Sequence, residues 1–140
     1  MINQPHLRQI RSFVRREGRI TAGQQRSLDT RLPHYEIANS PTALDLPQLF
    51  GREAPLGLEI GFGGGEHLAH LAQQRPDWDF IGLEVHRPGV GRLLLQLEAQ
   101  DTHNVRVAVE DAQIFIGTRL APAKLSKAGV WSSTCNMCSA

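Results

Sequence analysis

Three carboxylates follow three apolar runs of the chain at nearly equal spacing. Glu59, Glu84 and Asp111 are separated by 25 and 27 residues, about one strand-and-helix unit each. The carboxyl ends of parallel strands lie side by side along the ligand crevice of an open α/β sheet. There Glu84 could accept hydrogen bonds from ribose hydroxyls, Asp111 could reach an adenine amino group, and Glu59 could hold an ammonium group or brace the adjacent turn. The spacing therefore predicts a nucleoside-type ligand.

A glycine turn follows the first of these acids. Gly61, Gly63 and Gly65 alternate between an apolar run and a helical pattern. Glycine reaches positive φ without a steric penalty and has no Cβ to keep a ligand from the backbone. The dinucleotide fingerprint needs a third glycine where this chain has Glu66. A carboxylate at the start of that helix repels a pyrophosphate, so a phosphate-free nucleoside is favoured over a nicotinamide dinucleotide.

The elements that must position these groups alternate along the chain. Apolar runs predict four strands, at residues 56–60, 79–85, 104–109 and 128–134. Helical periodicity predicts helices between them, at residues 66–74, 90–100 and 111–120. The alternation predicts an α/β fold with a parallel sheet and right-handed crossovers, which place helices on both faces.

The start of the chain differs in charge from the rest. Residues 1–31 carry seven arginines and two acids, whereas the whole chain has a net charge of +1. This asymmetry suits a polyanionic partner, although charge alone favours an ordinary solvated helix. The pattern of residues 7–31 predicts a helix that ends at Gly18, followed by a second whose capping box is Thr21 with Gln24. Four prolines in residues 32–55 predict a linker or wrapped arm without a helix.

Several classes of protein are disfavoured. No run of about 18 apolar residues is present, and no signal sequence is recognised. Cys135 and Cys138 are the two cysteines, too few for a disulfide framework or for the four ligands of a zinc site. We expect a cytoplasmic protein without a membrane segment or a metal. His67 and His70 could reach the ligand from their helix, but positions on its polar surface are favoured.

Three strings carry a more specific resemblance. They are Glu-Ile-Gly-Phe-Gly at 59–63, Phe-Ile-Gly-Leu-Glu-Val-His at 80–86 and Pro-Gly-Val-Gly at 88–91. With them, residues 8–112 resemble the bacterial tRNA (guanine-N7-)-methyltransferase family, which has a Rossmann-like class I fold. The resemblance implies S-adenosylmethionine as cofactor, bound at Glu59, Glu84, Asp111 and the glycine turn. It also implies tRNA as partner and methyl transfer to N7 of a guanine in the variable loop. The arginines expected to contact RNA phosphates are Arg11, Arg15, Arg16 and Arg19.

The final residues depart from this pattern. The family continues with a Pro-Asp-Pro-Trp motif and a basic stretch, which residues 131–140 do not match. We interpret 1–54 as a basic arm with a proline-containing linker, and 55–140 as the N-terminal half of a methyltransferase domain with about four strands. Residues 131–140 then form a non-family tail, as expected of a truncated or frameshifted product.

That interpretation leaves no catalytic residue to assign, because the family's catalytic aspartate has no counterpart in the 140 residues. Impaired methyl transfer is expected. The alternative is a non-catalytic remnant that binds S-adenosylmethionine or RNA.

Overall fold

The computed structural model describes residues 18–122 and 128–132. This part of the chain contains six helices and four strands. In chain order they are α1 (Ala22–Thr30), α2 (Leu32–Tyr35), α3 (Leu46–Phe50), β1 (Leu56–Ile60), α4 (Glu66–Gln74), β2 (Asp79–Leu83), α5 (Arg87–Ala99), β3 (Val105–Ala108), α6 (Ala112–Arg119) and β4 (Gly129–Ser132).

The four strands form one parallel sheet in the order β3-β2-β1-β4. The first three strands step across the sheet in one direction, and β4 lies on the other side of β1. The direction of winding therefore changes between β1 and β4, the switch point at which open α/β sheets bind ligands. The glycine turn begins at the carboxyl end of β1, directly at this point.

Two hydrophobic cores cover the two faces of the sheet. Phe80 of β2 packs with Leu68 of α4 and Leu93 of α5 on one face. The next residue of the same strand, Ile81, packs with Phe115 of α6 on the other face, because successive strand residues point to opposite sides. The described residues thus form a Rossmann-like α/β fold with helices on both faces, as the sequence predicts.

Most of the predicted elements are observed. β1 and α4 have the predicted bounds, whereas β2 ends two residues early and α5 begins at Arg87, three residues early. The predicted capping box is confirmed, since Thr21 and Gln24 exchange side-chain to backbone hydrogen bonds of 3.1 Å. The helix predicted before Gly18 lies outside the described residues.

The prediction of a helix-free segment at residues 32–55 is wrong. α2 and α3 both lie there, each with a proline in its first turn. Proline is tolerated at that position because the N–H it lacks has no partner within the helix. Asp45 caps α3, since its side chain accepts a hydrogen bond of 3.1 Å from the backbone of Gln48.

The segment between α2 and α3 is fastened to the rest of the fold. Ile37 donates a backbone hydrogen bond of 2.8 Å to Val107 of β3. The guanidinium of Arg119, at the end of α6, donates to the carbonyls of Thr42 at 2.6 Å and Ala38 at 2.8 Å. This segment therefore covers the outer edge of β3.

α1 lies beside α5 and runs parallel to it. A Cβ built on Gly91 would be 2.9 Å from the carbonyl oxygen of Gln24, so glycine permits the close approach. Further along both helices, Arg31 forms a salt bridge with Glu98. The residues that lead into α1, including Arg19, therefore approach the end at which α5 begins, which is the carboxyl edge of the sheet.

Candidate functional site

The glycine turn has a left-handed backbone at all three predicted positions. The φ angles of Gly61, Gly63 and Gly65 are 66°, 62° and 80°, a region that L side chains rarely adopt. Gly65 closes the turn by donating to the Phe62 carbonyl at 3.0 Å, and it is the N-cap of α4. A Cβ built on Gly63 would meet nothing within 4 Å. The turn thus has a left-handed backbone that glycine adopts without strain, and space is open beside it at Gly63.

Glu84 is held directly against this turn. Its Oε2 accepts a hydrogen bond of 2.8 Å from the backbone of Gly63, and its Oε1 accepts bonds of 3.0 Å from Val85 and His86. A carboxylate offers about four acceptor sites, so a position remains for a ligand hydroxyl. Glu84 lies at the carboxyl end of β2, where the sequence places it, and its contact with ribose stays a prediction.

Glu59 is the most deeply buried of the three acids. It lies in β1 with 1% of its side chain exposed, and its Oε1 is 3.3 Å from Nδ1 of His67 in α4. Its Oε2 is buried without a hydrogen-bond partner among the described residues. Burial raises the pKa of Glu59 above its usual range, and the charge and hydrogen bond of His67 oppose that rise. A buried carboxylate oxygen without a donor needs an explanation, and a bound cationic group would supply one.

Asp111 lies at the same carboxyl edge of the sheet, but its side chain caps a helix. It is the N-cap of α6, and its Oδ1 accepts hydrogen bonds from the backbones of Gln113 at 2.9 Å and Ile114 at 3.2 Å. In the described part of the chain its hydrogen bonds go to α6 alone, so contacts join the turn to Glu84 but not to Asp111. Its role toward an adenine remains a prediction.

α5 packs against the glycine turn through contacts that were not predicted from the sequence. A Cβ built on Gly89 would lie 2.1 Å from the carbonyl oxygen of Gly63, and one built on Gly65 would lie 2.6 Å from Leu93. Gln96 donates a hydrogen bond of 2.8 Å to the carbonyl of Gly64.

The start of α4 is tied to the same helix. Glu66 and Arg92 form an ion pair of 2.6 Å between α4 and α5. The Pro-Gly-Val-Gly string at 88–91 could have indicated that α5 packs closely against another element. Two glycines within one helix are unfavourable unless close packing requires them.

The arginines predicted to contact RNA are only partly described. Arg19 is exposed, whereas Arg11, Arg15 and Arg16 lie outside the described residues. Among residues 18–122 and 128–132, no three His, Cys, Asp or Glu side chains gather as metal ligands would. Within those ranges, none of the helices is long and apolar enough to cross a membrane. Cys135 and Cys138 lie outside the described residues.

Comparison with known proteins gives a consistent result. A family model described as "Putative methyltransferase" matches residues 53–131. The tRNA (guanine-N(7)-)-methyltransferase of Edwardsiella ictaluri (strain 93-146) is 55% identical over 119 residues, which is 85% of this chain and 50% of the relative. The protein of that name from Alkalilimnicola ehrlichii is 55% identical over 107 residues, 75% of this chain and 45% of the relative.

A solved structure described as "Structure of an antibiotic related Methyltransferase" is 16% identical with a TM-score of 0.45, and covers 69% of this chain and 51% of its own. The chain spans about half the length of the curated relatives it matches. The family model and the curated relatives confirm the family resemblance drawn from the strings around Glu59 and Glu84. Since the family model covers more than half of the 140 residues, the chain belongs to the putative methyltransferase family.

Proposed function

We propose that the glycine turn and the three acids bind S-adenosylmethionine, and that the chain serves in methyl transfer to N7 of a guanine in the variable loop of tRNA. The observation that carries the proposal is the buried Oε2 of Glu59, which has no hydrogen-bond partner among the described residues and lies in the strand that leads into a turn open at Gly63. S-adenosylmethionine carries an ammonium group that would donate a hydrogen bond to this oxygen. Glu84 would hold the ribose hydroxyls, and Asp111 the adenine amino group.

The acids favour this ligand over a dinucleotide for an electrostatic reason. Glu66 begins α4, where a pyrophosphate would have to lie, and it is paired with Arg92, so that cation is not available to a pyrophosphate. A ligand that carries a sulfonium and an ammonium group is instead attracted to Glu59. When bound, the cofactor supplies an electrophilic methyl group.

Guanine N7, the atom that accepts the methyl group, determines what else the reaction requires of the protein. Guanine N7 has a lone pair in its neutral form, so no base is needed to create the nucleophile. Catalysis then consists of positioning and of stabilising the positive charge that develops on the guanine. The resemblance assigns that stabilisation to an aspartate in a Pro-Asp-Pro-Trp motif, which the 140 residues do not contain. We therefore propose that the 140-residue chain binds the cofactor without appreciable turnover.

The partner and its location belong to the same proposal. The curated relatives are named for tRNA, and Arg19 with Arg11, Arg15 and Arg16 would contact its phosphates without reading sequence. Residues 1–54 would then be the basic arm and residues 55–140 the cofactor-binding half of the domain. A cytoplasmic location follows from a tRNA substrate.

A non-catalytic protein that binds S-adenosylmethionine or RNA is the second candidate. The missing Pro-Asp-Pro-Trp motif favours it, while cofactor binding is common to both candidates. Appreciable turnover by the 140-residue chain would exclude the second candidate, whereas its absence is expected of both.

Two measurements test the proposal. Calorimetry should detect binding of S-adenosylmethionine to the 140-residue chain and a weaker or absent response to NAD, and binding of NAD alone would overturn the choice of cofactor. Radiolabelled methyl transfer to tRNA that lacks N7-methylguanine should remain at background. Turnover comparable with a full-length relative would refute the proposal that this chain is inactive.

A further inference from the structure

His67 joins the buried carboxylate of Glu59 to solvent. The imidazole lies on the first turn of α4 and is 56% exposed, whereas the carboxylate that it contacts is 1% exposed. The contact, from Nδ1 of His67 to Oε1 of Glu59, measures 3.3 Å. An ionised carboxylate can only accept, so Nδ1 donates in the charged form of Glu59.

The two oxygens of Glu59 have different surroundings. Oε1 faces His67, whereas Oε2 is buried without a partner in the described residues. One oxygen is therefore used to orient the carboxylate, and the other is left for a donor that the described residues do not provide. A buried charge is retained only when it is paired, because its desolvation is costly.

We propose that His67 is a positioning residue, which holds Glu59 through Oε1 and keeps it ionised so that Oε2 can accept the ammonium group of the cofactor. This inference rests on the proposed function of the same site. His67 does not touch the reacting atoms and acts through Glu59 alone.

Among the described residues, the elements next to Glu59 provide no substitute for His67. The register partners of Glu59 are Gly82 on β2 and Trp131 on β4, neither of which is a titratable residue type. On α4, Glu66 is paired with Arg92 of α5, and His70 is exposed one turn further on.

The direction of the expected effect follows from the ionisation of Glu59. Burial raises the pKa of this carboxyl, and both contributions of His67 lower it. Without His67 the effect of burial is unopposed, so Glu59 takes up a proton at a higher pH. A neutral carboxyl is a poor partner for an ammonium group, so the loss of affinity should appear first on the acidic side.

The test is calorimetric titration with S-adenosylhomocysteine, which carries the same ammonium group and no transferable methyl. Binding is measured from about pH 5 to 8 on the wild-type chain, His67→Ala, His67→Gln and the matched control His70→Ala. We expect His67→Ala to lose about threefold to tenfold in affinity at the acidic end and to approach wild type at the alkaline end. His67→Gln restores the donor and should recover part of the loss, while His70→Ala should follow wild type.

A second ligand separates this role from general damage to the site. Methylthioadenosine has no ammonium group, so its affinity should not change in His67→Ala. A loss that is equal at every pH, or that is shared by both ligands, would overturn the inference while leaving the proposed function intact. Absence of adenosylhomocysteine binding by the wild-type chain would instead overturn the proposed function.

A direct readout remains if His67→Ala does not fold. Carbon-13 NMR titration of the Glu59 carboxyl, without ligand, should show a higher midpoint in His67→Gln than in wild type, because the charge of the imidazole is missing. Equal midpoints would contradict the inference without reference to any cofactor.

Discussion

The carbonyl oxygen of Gly63 occupies the space in which a side chain at Gly89 would begin. A Cβ built on Gly89 would lie 2.1 Å from that oxygen, a separation that no relaxed structure tolerates. The two residues are 26 positions apart, at the turn after β1 and at the start of α5. The shape of the turn therefore depends on a helix that belongs to the next strand-and-helix unit.

Gly89→Ala should displace the turn and abolish binding of S-adenosylmethionine. The added methyl meets backbone, which cannot swing aside, and overpacking of this kind costs about 1 to 3 kcal/mol of stability. Isothermal calorimetry measures the binding, and urea unfolding measures the stability.

Gly91→Ala is the matched control for that substitution. It lies on the same helix, but its Cβ would meet Gln24 of α1, at 2.9 Å, and not the turn. It should lower stability while largely preserving affinity. Gly117→Ala, with nothing within 4 Å of its Cβ, should stabilise the chain by about 0.5 to 1 kcal/mol. If the substitutions at 89 and 91 reduced affinity equally, the turn would not depend on Gly89.

Glu59→Gln should make the chain more stable near neutral pH and weaken its affinity for the cofactor. The substitution removes a buried charge whose Oε2 has no partner in the described residues, and a gain of about 1 kcal/mol is expected. Urea unfolding at neutral pH gives the stability, and calorimetry gives the affinity. A variant that was both less stable and fully able to bind would contradict the assigned role.

The advantage of Glu59→Gln should shrink as the pH falls. The pKa of Glu59 is raised in the folded state above its ordinary value of 4.5. In the window above 4.5 the folded chain therefore binds more protons than the unfolded chain, so its stability falls as pH rises through the folded pKa. Unfolding curves of wild type and variant should converge as the pH approaches 4.5, and a constant difference would argue against a raised pKa.

Substitutions at Asp111 should separate its capping task from its proposed role toward the ligand. Asp111→Ala removes both and should cost about 1 kcal/mol of stability, because the start of α6 is left without its cap. Asp111→Asn keeps an oxygen that can cap, so its stability should stay near wild type while cofactor affinity falls. Thermal unfolding and calorimetry on the same samples distinguish these outcomes, and full affinity in Asp111→Asn would leave the residue a cap alone.

Combined replacement of Arg11, Arg15, Arg16 and Arg19 by alanine should weaken tRNA binding and reduce its dependence on salt. For every phosphate that is no longer neutralised, the slope of log K against log salt should become shallower by about 0.7 to 0.9. Arg75→Ala is the control, because this exposed arginine follows α4 at the opposite edge of the sheet. Filter binding across a salt series provides the slopes, and an unchanged slope in the fourfold variant would show that the arm does not bind the RNA.

The order of the elements could be predicted because apolar periodicity is strong where the core is dense. β1 and α4 have their predicted bounds, and every β1 or β2 side chain that faces a core comes from an apolar run. α2 and α3 were missed because helices of four and five residues are too short to show a period. Their prolines suggested a loop, whereas proline in a first turn is compatible with a helix.

Only those features of the site that lie within one short stretch of sequence could be predicted. The left-handed glycines and the acids at the strand ends are encoded within single strand-and-turn segments, and they lie where expected. The hydrogen bond of Gly63 to Glu84, the close approach of Gly89 to that turn and the pairing of His67 with Glu59 depend on how separate elements meet in space. A single sequence carries no signal for the depth at which Glu59 is buried.

The two hydrogen bonds from the guanidinium of Arg119 to the segment between α2 and α3 form late during synthesis of the chain. Its two carbonyl partners, Thr42 and Ala38, precede it by 77 and 81 residues. At a synthesis rate of about 5 to 20 residues per second, Arg119 is added about 4 to 16 s after these two residues. Until Arg119 is made, a ribosome-bound nascent chain therefore leaves the carbonyls of Thr42 and Ala38 open to chaperones, whereas in the finished protein the guanidinium occupies them.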